Sequence, residues 1–191
     1  MIWYVARAGG VLAFLLLTFT VCIGIGLAGR ARVPGFARLA VNDLHRFAGI
    51  LTGSFIGVHV AGILLDSYVH FSVPQVLIPF AASYRNVAVA LGIVAAELLI
   101  ALAITNRLRK VLPRRVWRRA HYLNFAVWAL ATIHGITAGT DNATTWMMAI
   151  YVAAIATVGG LACWRFAEPV SGSPGPPASN PVTRTATDSA S

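Results

Sequence analysis

An all-α integral membrane protein, built as a five-helix transmembrane bundle, is the fold class this sequence predicts. Three observations carry the prediction. Hydrophobic residues make up 58% of the 191 and charged residues 11%, with a mean hydropathy of +0.73, outside the range of ordinary soluble domains. The apolar residues come in runs approaching the roughly 20 helical residues that cross a hydrocarbon core of about 30 Å. The basic residues gather in alternate connections, so the net charge of +9 reads as membrane topology and not as a nucleic-acid surface.

The first span is expected over Val11–Leu27. Arg7 before it resembles the start of a signal peptide, but the run is longer than a usual apolar core and the stronger basic cluster follows it, so it reads as a retained helix. The second span is Phe47–Leu65, and the third, Val87–Ile104, holds Glu97, the one mid-span carboxylate. Glu97 is expected to be buried, where it would orient a histidine, handle a proton, serve a quinone site or make a structural hydrogen bond. Leu123–Thr137 and Trp146–Cys163 are the fourth and fifth spans. Cys22 and Cys163 are isolated, with no C-x-x-C, which argues against a redox pair and against covalent haem attachment.

Arg30, Arg32, Arg38 and Arg46 lie between or beside spans one and two, and Arg107, Arg109, Lys110, Arg114, Arg115, Arg118 and Arg119 between spans three and four. The opposite connections hold only Asp66 and Arg85, then Asp141. The positive-inside rule puts the basic connections in the cytoplasm, the N-terminus outside and the C-terminus inside, in a cell inner or plasma membrane. Trp3, Tyr4 and Trp146 then fall at the outer interface, and Trp117 and Trp164 at the inner one. The connection from Asp66 to Asn86, broken by Pro74 and Pro79, is expected to cap the outer end, with His70 as an ordinary loop residue. From residue 167 the chain turns to Pro, Ser, Thr and Gly, so 1–166 reads as the membrane domain and 167–191 as a disordered cytoplasmic tail. That tail is too short for a flavin or nucleotide domain.

Four histidines stand inside or beside apolar runs, where a polar ring is expensive: His45 and His59, then His121 and His134. The separations are 14 and 13 residues, about 20 Å along a helix in each case. Spans two and four cross in the same direction, which pairs His45 with His121 on the inner side and His59 with His134 on the outer side. Two facing imidazoles per level fit two bis-histidine haems that carry electrons and leave no open position for oxygen. At 100° per residue, 14 positions bring His59 to within about 40° of His45, while 13 leave His134 about 140° from His121. The second pair therefore needs a change of helix direction or a local tightening, or else a single haem is bound. Gly49, Gly53 and Gly57 thin the second span, for a macrocycle or for helix packing. Arg46, Arg118 and Arg119 stand beside the inner histidines, to pair with propionates or to fix topology. Trp128 or Phe125 is a candidate to lie between the two levels, against the alternative of a core aromatic.

The His45-Arg46-Phe47 run with His59 fourteen residues on, then His121 and His134 thirteen apart after a basic connection, resembles the ferric reductase-like transmembrane domain over residues 42–140. That family includes ferric reductases, NADPH oxidases and the haem subunit of methionine sulfoxide reductase systems. The resemblance implies axial-ligand roles for His45, His59, His121 and His134, two b-type haems, and spacings of 14 and 13 as in the oxidase branch. It implies transmembrane electron transfer from a cytoplasmic donor, a separate flavoprotein carrying FMN or FAD or a membrane quinol, to an outer-side acceptor. Members often have six spans, and many carry a flavin and nicotinamide domain, so a self-contained enzyme is not expected here. Two alternatives stand beside it: a quinol-linked haem anchor for a peripheral catalytic subunit, and a haem-free histidine-based metal transporter or sensor.

Overall fold

The computed structural model describes residues 1–28, 37–67 and 70–167. Arg30, Arg32 and the tail from 168 onward lie outside the described residues. Within them the chain is helical and holds no strand: α1 Ile2–Ala28, α2 Arg38–Leu65, α3 Val73–Leu77, α4 Asn86–Arg107, α5 Arg114–Tyr122, α6 Asn124–Ala138 and α7 Thr145–Ala167.

Four of these helices, α1, α2, α4 and α7, are long and apolar enough to cross a membrane. The protein is a multi-pass membrane protein. The expected fourth span differs from the others. Expected over Leu123–Thr137, it corresponds to the 15-residue α6, which at 1.5 Å per residue is only about 22 Å long, and Leu123 divides it from the preceding α5. The division has a local cause. The Asn124 side-chain amide donates to the His121 carbonyl at 2.8 Å, and a side-chain donor placed on a helix carbonyl competes with the backbone ladder.

α1 is the central helix, packed along α2 and also touching α6 and α7. Its face of Leu17, Val21 and Ile25 meets Ala95 and Leu102 of α4, Val127 of α6 and Val158 of α7. Phe14 meets Met147, Tyr151 and Ala154 of α7, with the Phe14 and Tyr151 rings edge to face. Small residues bring α1 and α2 together: a Cβ on Gly62 would sit 2.9 Å from the Cβ of Ala6. α4 packs chiefly on α6. α2 packs along α1 and α6 along α4, and His45 and His59 of α2 face His121 of α5 and His134 of α6.

One end of the bundle is closed by polar ties. Arg7 of α1 forms an ion pair with Asp141 in the α6–α7 connection. Arg85 adopts a left-handed φ of 40° ahead of α4, and its guanidinium donates to the Thr137 carbonyl at 2.7 Å. A cation on the last carbonyls of α6 suits that helix end and offsets the strained backbone. Large apolar side chains such as Phe19, Ile50, Ile100 and Val152 face outward, as lipid contact requires.

Candidate functional site

The four span histidines meet in the two pairs expected from their depths. The His45 and His121 ring centroids lie 6.1 Å apart with planes at 65°, and those of His59 and His134 lie 6.4 Å apart at 78°. Fourteen residues of α2 set the two levels about 21 Å apart. His121 reaches His45 because it belongs to α5 and not to α6. The helix is interrupted at Leu123, so the 140° offset calculated for one ideal continuous helix does not apply, and the His121 ring meets that of His45. Among the described residues no group of three or more His, Cys, Asp or Glu gathers at one point.

Three of the rings are held alike. His59 Nδ1–H donates to the Ala6 carbonyl at 2.7 Å, His45 Nδ1–H to the Thr20 carbonyl at 3.1 Å, and His134 Nδ1–H to the Ala88 carbonyl at 2.7 Å. A carbonyl oxygen only accepts, so each Nδ1 carries the proton and each Nε2 keeps its lone pair. Those carbonyls belong to helices already hydrogen-bonded along their length, and they are reachable because a glycine follows each by four residues. A Cβ on Gly10 would meet His59 Nδ1 at 2.8 Å, one on Gly24 would meet His45 Cε1 at 3.3 Å, and one on Gly92 would meet His134 Nδ1 at 2.6 Å. The seats at Ala6/Gly10, Thr20/Gly24 and Ala88/Gly92 thus repeat one arrangement on α1 and α4.

Sequence reading passed over these glycines. Gly10 and Gly24 are 14 residues apart, the same interval as His45 and His59, and that coincidence was the available signal. The glycines it singled out, Gly49, Gly53 and Gly57, meet no other helix within 4 Å of a Cβ position among the described residues. Gly24 also opens a Gly-x-Gly-x-x-Gly run ending at Gly29. Its described part lies within α1 against His45, without the strand-to-helix turn that dinucleotide binding needs.

His121 is held differently. Its Nδ1 has only the Asn124 amide nitrogen, at a long 3.4 Å. Trp117, one turn earlier on α5, stacks on the ring at 5.3 Å between centroids and 22° between planes. Expected as an interface anchor, Trp117 also donates from its indole nitrogen to Asn106 Oδ1 at 3.3 Å.

A cavity of about 300 Å³ opens beside the second pair, with His59, His134, Phe14, Val127 and Tyr151 in its wall and Arg7, Asp141 and Asn142 toward its rim. Asn142 Oδ1 is buried there with no hydrogen-bond partner. Trp128 lies between the two levels of α6, donates to Thr18 Oγ1 at 3.0 Å and touches both apolar clusters, whereas Phe125 is exposed. Arg46 is exposed and faces Asp43 at 3.6 Å, and Arg118 and Arg119 are exposed on α5. Glu97 corrects its expectation. It is exposed on the outer face of α4, outside the cavity wall, because the face that α4 turns inward is Ala88, Ile93, Ala95 and Leu102. His70 is exposed in its connection.

No curated protein and no solved structure matches the chain. The family model of the ferric reductase-like transmembrane component matches residues 9–133, well over half of the 191, and takes in most of α1, all of α2, α4 and α5, the first ten residues of α6 and three of the four paired histidines. The chain belongs to the ferric reductase-like transmembrane family.

Proposed function

We propose that the protein carries electrons across the membrane between two b-type haems, one held by His45 and His121 and one by His59 and His134. The family supports transmembrane electron transfer in general. The observation that carries the finer reading is the spacing of the rings. A metal–imidazole bond is about 2 Å and the ring centroid lies about 1.1 Å behind the nitrogen, so two imidazoles on opposite sides of one iron place their centroids roughly 6.3 Å apart. The separations of 6.1 and 6.4 Å bracket that value.

The rest of the donor set fits as well. Nδ1–H donation to a carbonyl leaves Nε2 as the ligating atom, fixes the ring and raises its basicity. The cavity beside His59 and His134, walled on α2 by Ile56, Val60 and Ile63, gives an apolar group room there that packed side chains would deny it. A haem held by the two histidines of one level would supply a one-electron couple there. The apolar helices keep water from the site, and the carbonyl seats hold the rings in place as the charge between them changes.

The basic residues from Arg107 to Arg119 stand at the His45/His121 end, which the positive-inside rule makes cytoplasmic. Electrons enter there from a flavoprotein carrying FMN or FAD or from a quinol, and leave from the His59/His134 level to an outer-side acceptor. The test is the visible spectrum of the detergent-purified protein, oxidised and dithionite-reduced, with haem quantified per chain. A sharp low-spin b-type band at two haems per chain is expected. A colourless protein after expression with ample haem overturns the proposal and favours a histidine-based metal transporter.

A further inference from the structure

We infer that Trp117, tethered by Asn106, is the positioning residue for His121, standing in for the glycine-and-carbonyl seat that the other three histidines have. The inference rests on the two-haem reading above and concerns what makes one of the four ligands different.

The repeat of the seat identifies what is missing. On α1 the seats for the two levels, Gly10 and Gly24, are 14 residues apart. On α4 the seat for His134 is Gly92, and 14 residues further along stands Asn106, at the end of the helix that neighbours His121. Asparagine has the Cβ that the other seats exclude. The carbonyl four residues before it, that of Leu102, already accepts a hydrogen bond from Thr105 Oγ1 at 2.8 Å. A ring turned toward α4 at this level therefore finds neither the space nor the free acceptor that His134 finds at Gly92.

Asn106 instead accepts from the Trp117 indole N–H at 3.3 Å. Trp117 and His121 are four residues apart on α5, the spacing at which helix side chains lie over one another. The near-parallel stack at 22° sets the plane of the imidazole, while the Asn106 tether sets the plane of the indole. The rest of α5 gives this residue little support: Val116, Arg118 and Arg119 are exposed, and no side chain of α5 is buried. Stacking orients a ring but does not raise the basicity of its Nε2 as Nδ1–H donation does. His121 is thus the ligand that depends on a side chain, and the others depend on backbone.

The test uses the full-length, haem-loaded protein in detergent and three substitutions, Trp117→Ala, Trp117→Phe and Asn106→Ala. Each is read by low-temperature EPR and by the carbon monoxide difference spectrum of the reduced form. Wild type is expected to show two low-spin signals and no carbon monoxide binding. In Trp117→Ala one low-spin signal is lost, and about half of the haem becomes high-spin and binds carbon monoxide, while the other signal is unchanged. Trp117→Phe, which keeps a stacking ring, retains both signals, and Asn106→Ala falls between. Two unchanged signals in Trp117→Ala overturn the inference alone. Equal loss of both signals in a folded Trp117→Ala protein also overturns it, by making Trp117 a general packing residue. A wild-type protein without two haems overturns the reading on which it rests.

Discussion

Gly92 lies so close to His134 that a Cβ added to it would come within 2.6 Å of the ring nitrogen. The contact is with the imidazole that also reaches the Ala88 carbonyl, so the glycine and the hydrogen bond are one device. Gly92→Ala is expected to push the ring off its acceptor and cost about 1–3 kcal/mol of stability through overpacking. Haem content should fall from two to one per chain. Gly53→Ala, at a site with no neighbour within 4 Å, is the matched control and should leave haem content unchanged.

Gly24→Ala should act more mildly. Its added methyl meets His45 at 3.3 Å, a contact relieved by a shift of a few tenths of an ångström. Both haems should remain, with a change in the midpoint potential of one of them in a redox titration.

The pairs should behave as units. His59→Ala and His134→Ala are each expected to remove the same haem, and the double variant should lose no more than either single one. His45→Ala with His134→Ala should remove both. Such non-additivity within a pair and additivity between pairs is the signature of a shared ligand. Haem-to-protein ratios in purified variants decide it.

Trp128→Phe removes the indole that donates to Thr18 and is expected to cost about 1 kcal/mol in thermal stability. Trp128→Leu removes the aromatic between the two levels as well. If that ring couples the haems, transfer between them slows in a flash-reduction experiment while both low-spin spectra persist. A rate equal to wild type returns Trp128 to the role of a core aromatic.

Glu97→Gln should change neither haem spectrum nor the pH dependence of either potential, because the carboxylate faces away from the cavity. A shift in either would mean that Glu97 communicates with the site through a route other than the cavity wall.

Much of the membrane fold was legible in sequence because lipid imposes a coarse rule. Long apolar runs predicted α1, α2, α4 and α7, and depth alone paired the histidines correctly. What sequence missed was set by side chains acting on backbone. The 13-residue spacing already asked for a departure from one ideal helix, and what stayed hidden was the Asn124 donation to the His121 carbonyl at the break, which hydropathy does not register. Glu97 was placed inside because a carboxylate within a membrane helix usually faces the bundle interior, but α4 turns Ala95 and Leu102 into the core and packs on α6, which leaves Glu97 on the outer face. The glycine seats escaped because a missing atom leaves no pattern of its own until the ring it admits is in view.

Those seats also set what genetics can detect. The groups that fix His45 and His134 are the carbonyls of Thr20 and Ala88, and every amino acid has a carbonyl. A scan of side chains would record positions 20 and 88 as silent while the bonds they make stayed intact. The same scan would report Gly24 and Gly92 as sensitive, although neither residue has a side chain to lose. In this protein the restraint on a paired histidine is inherited as a vacancy, and only substitutions that add atoms can reveal it.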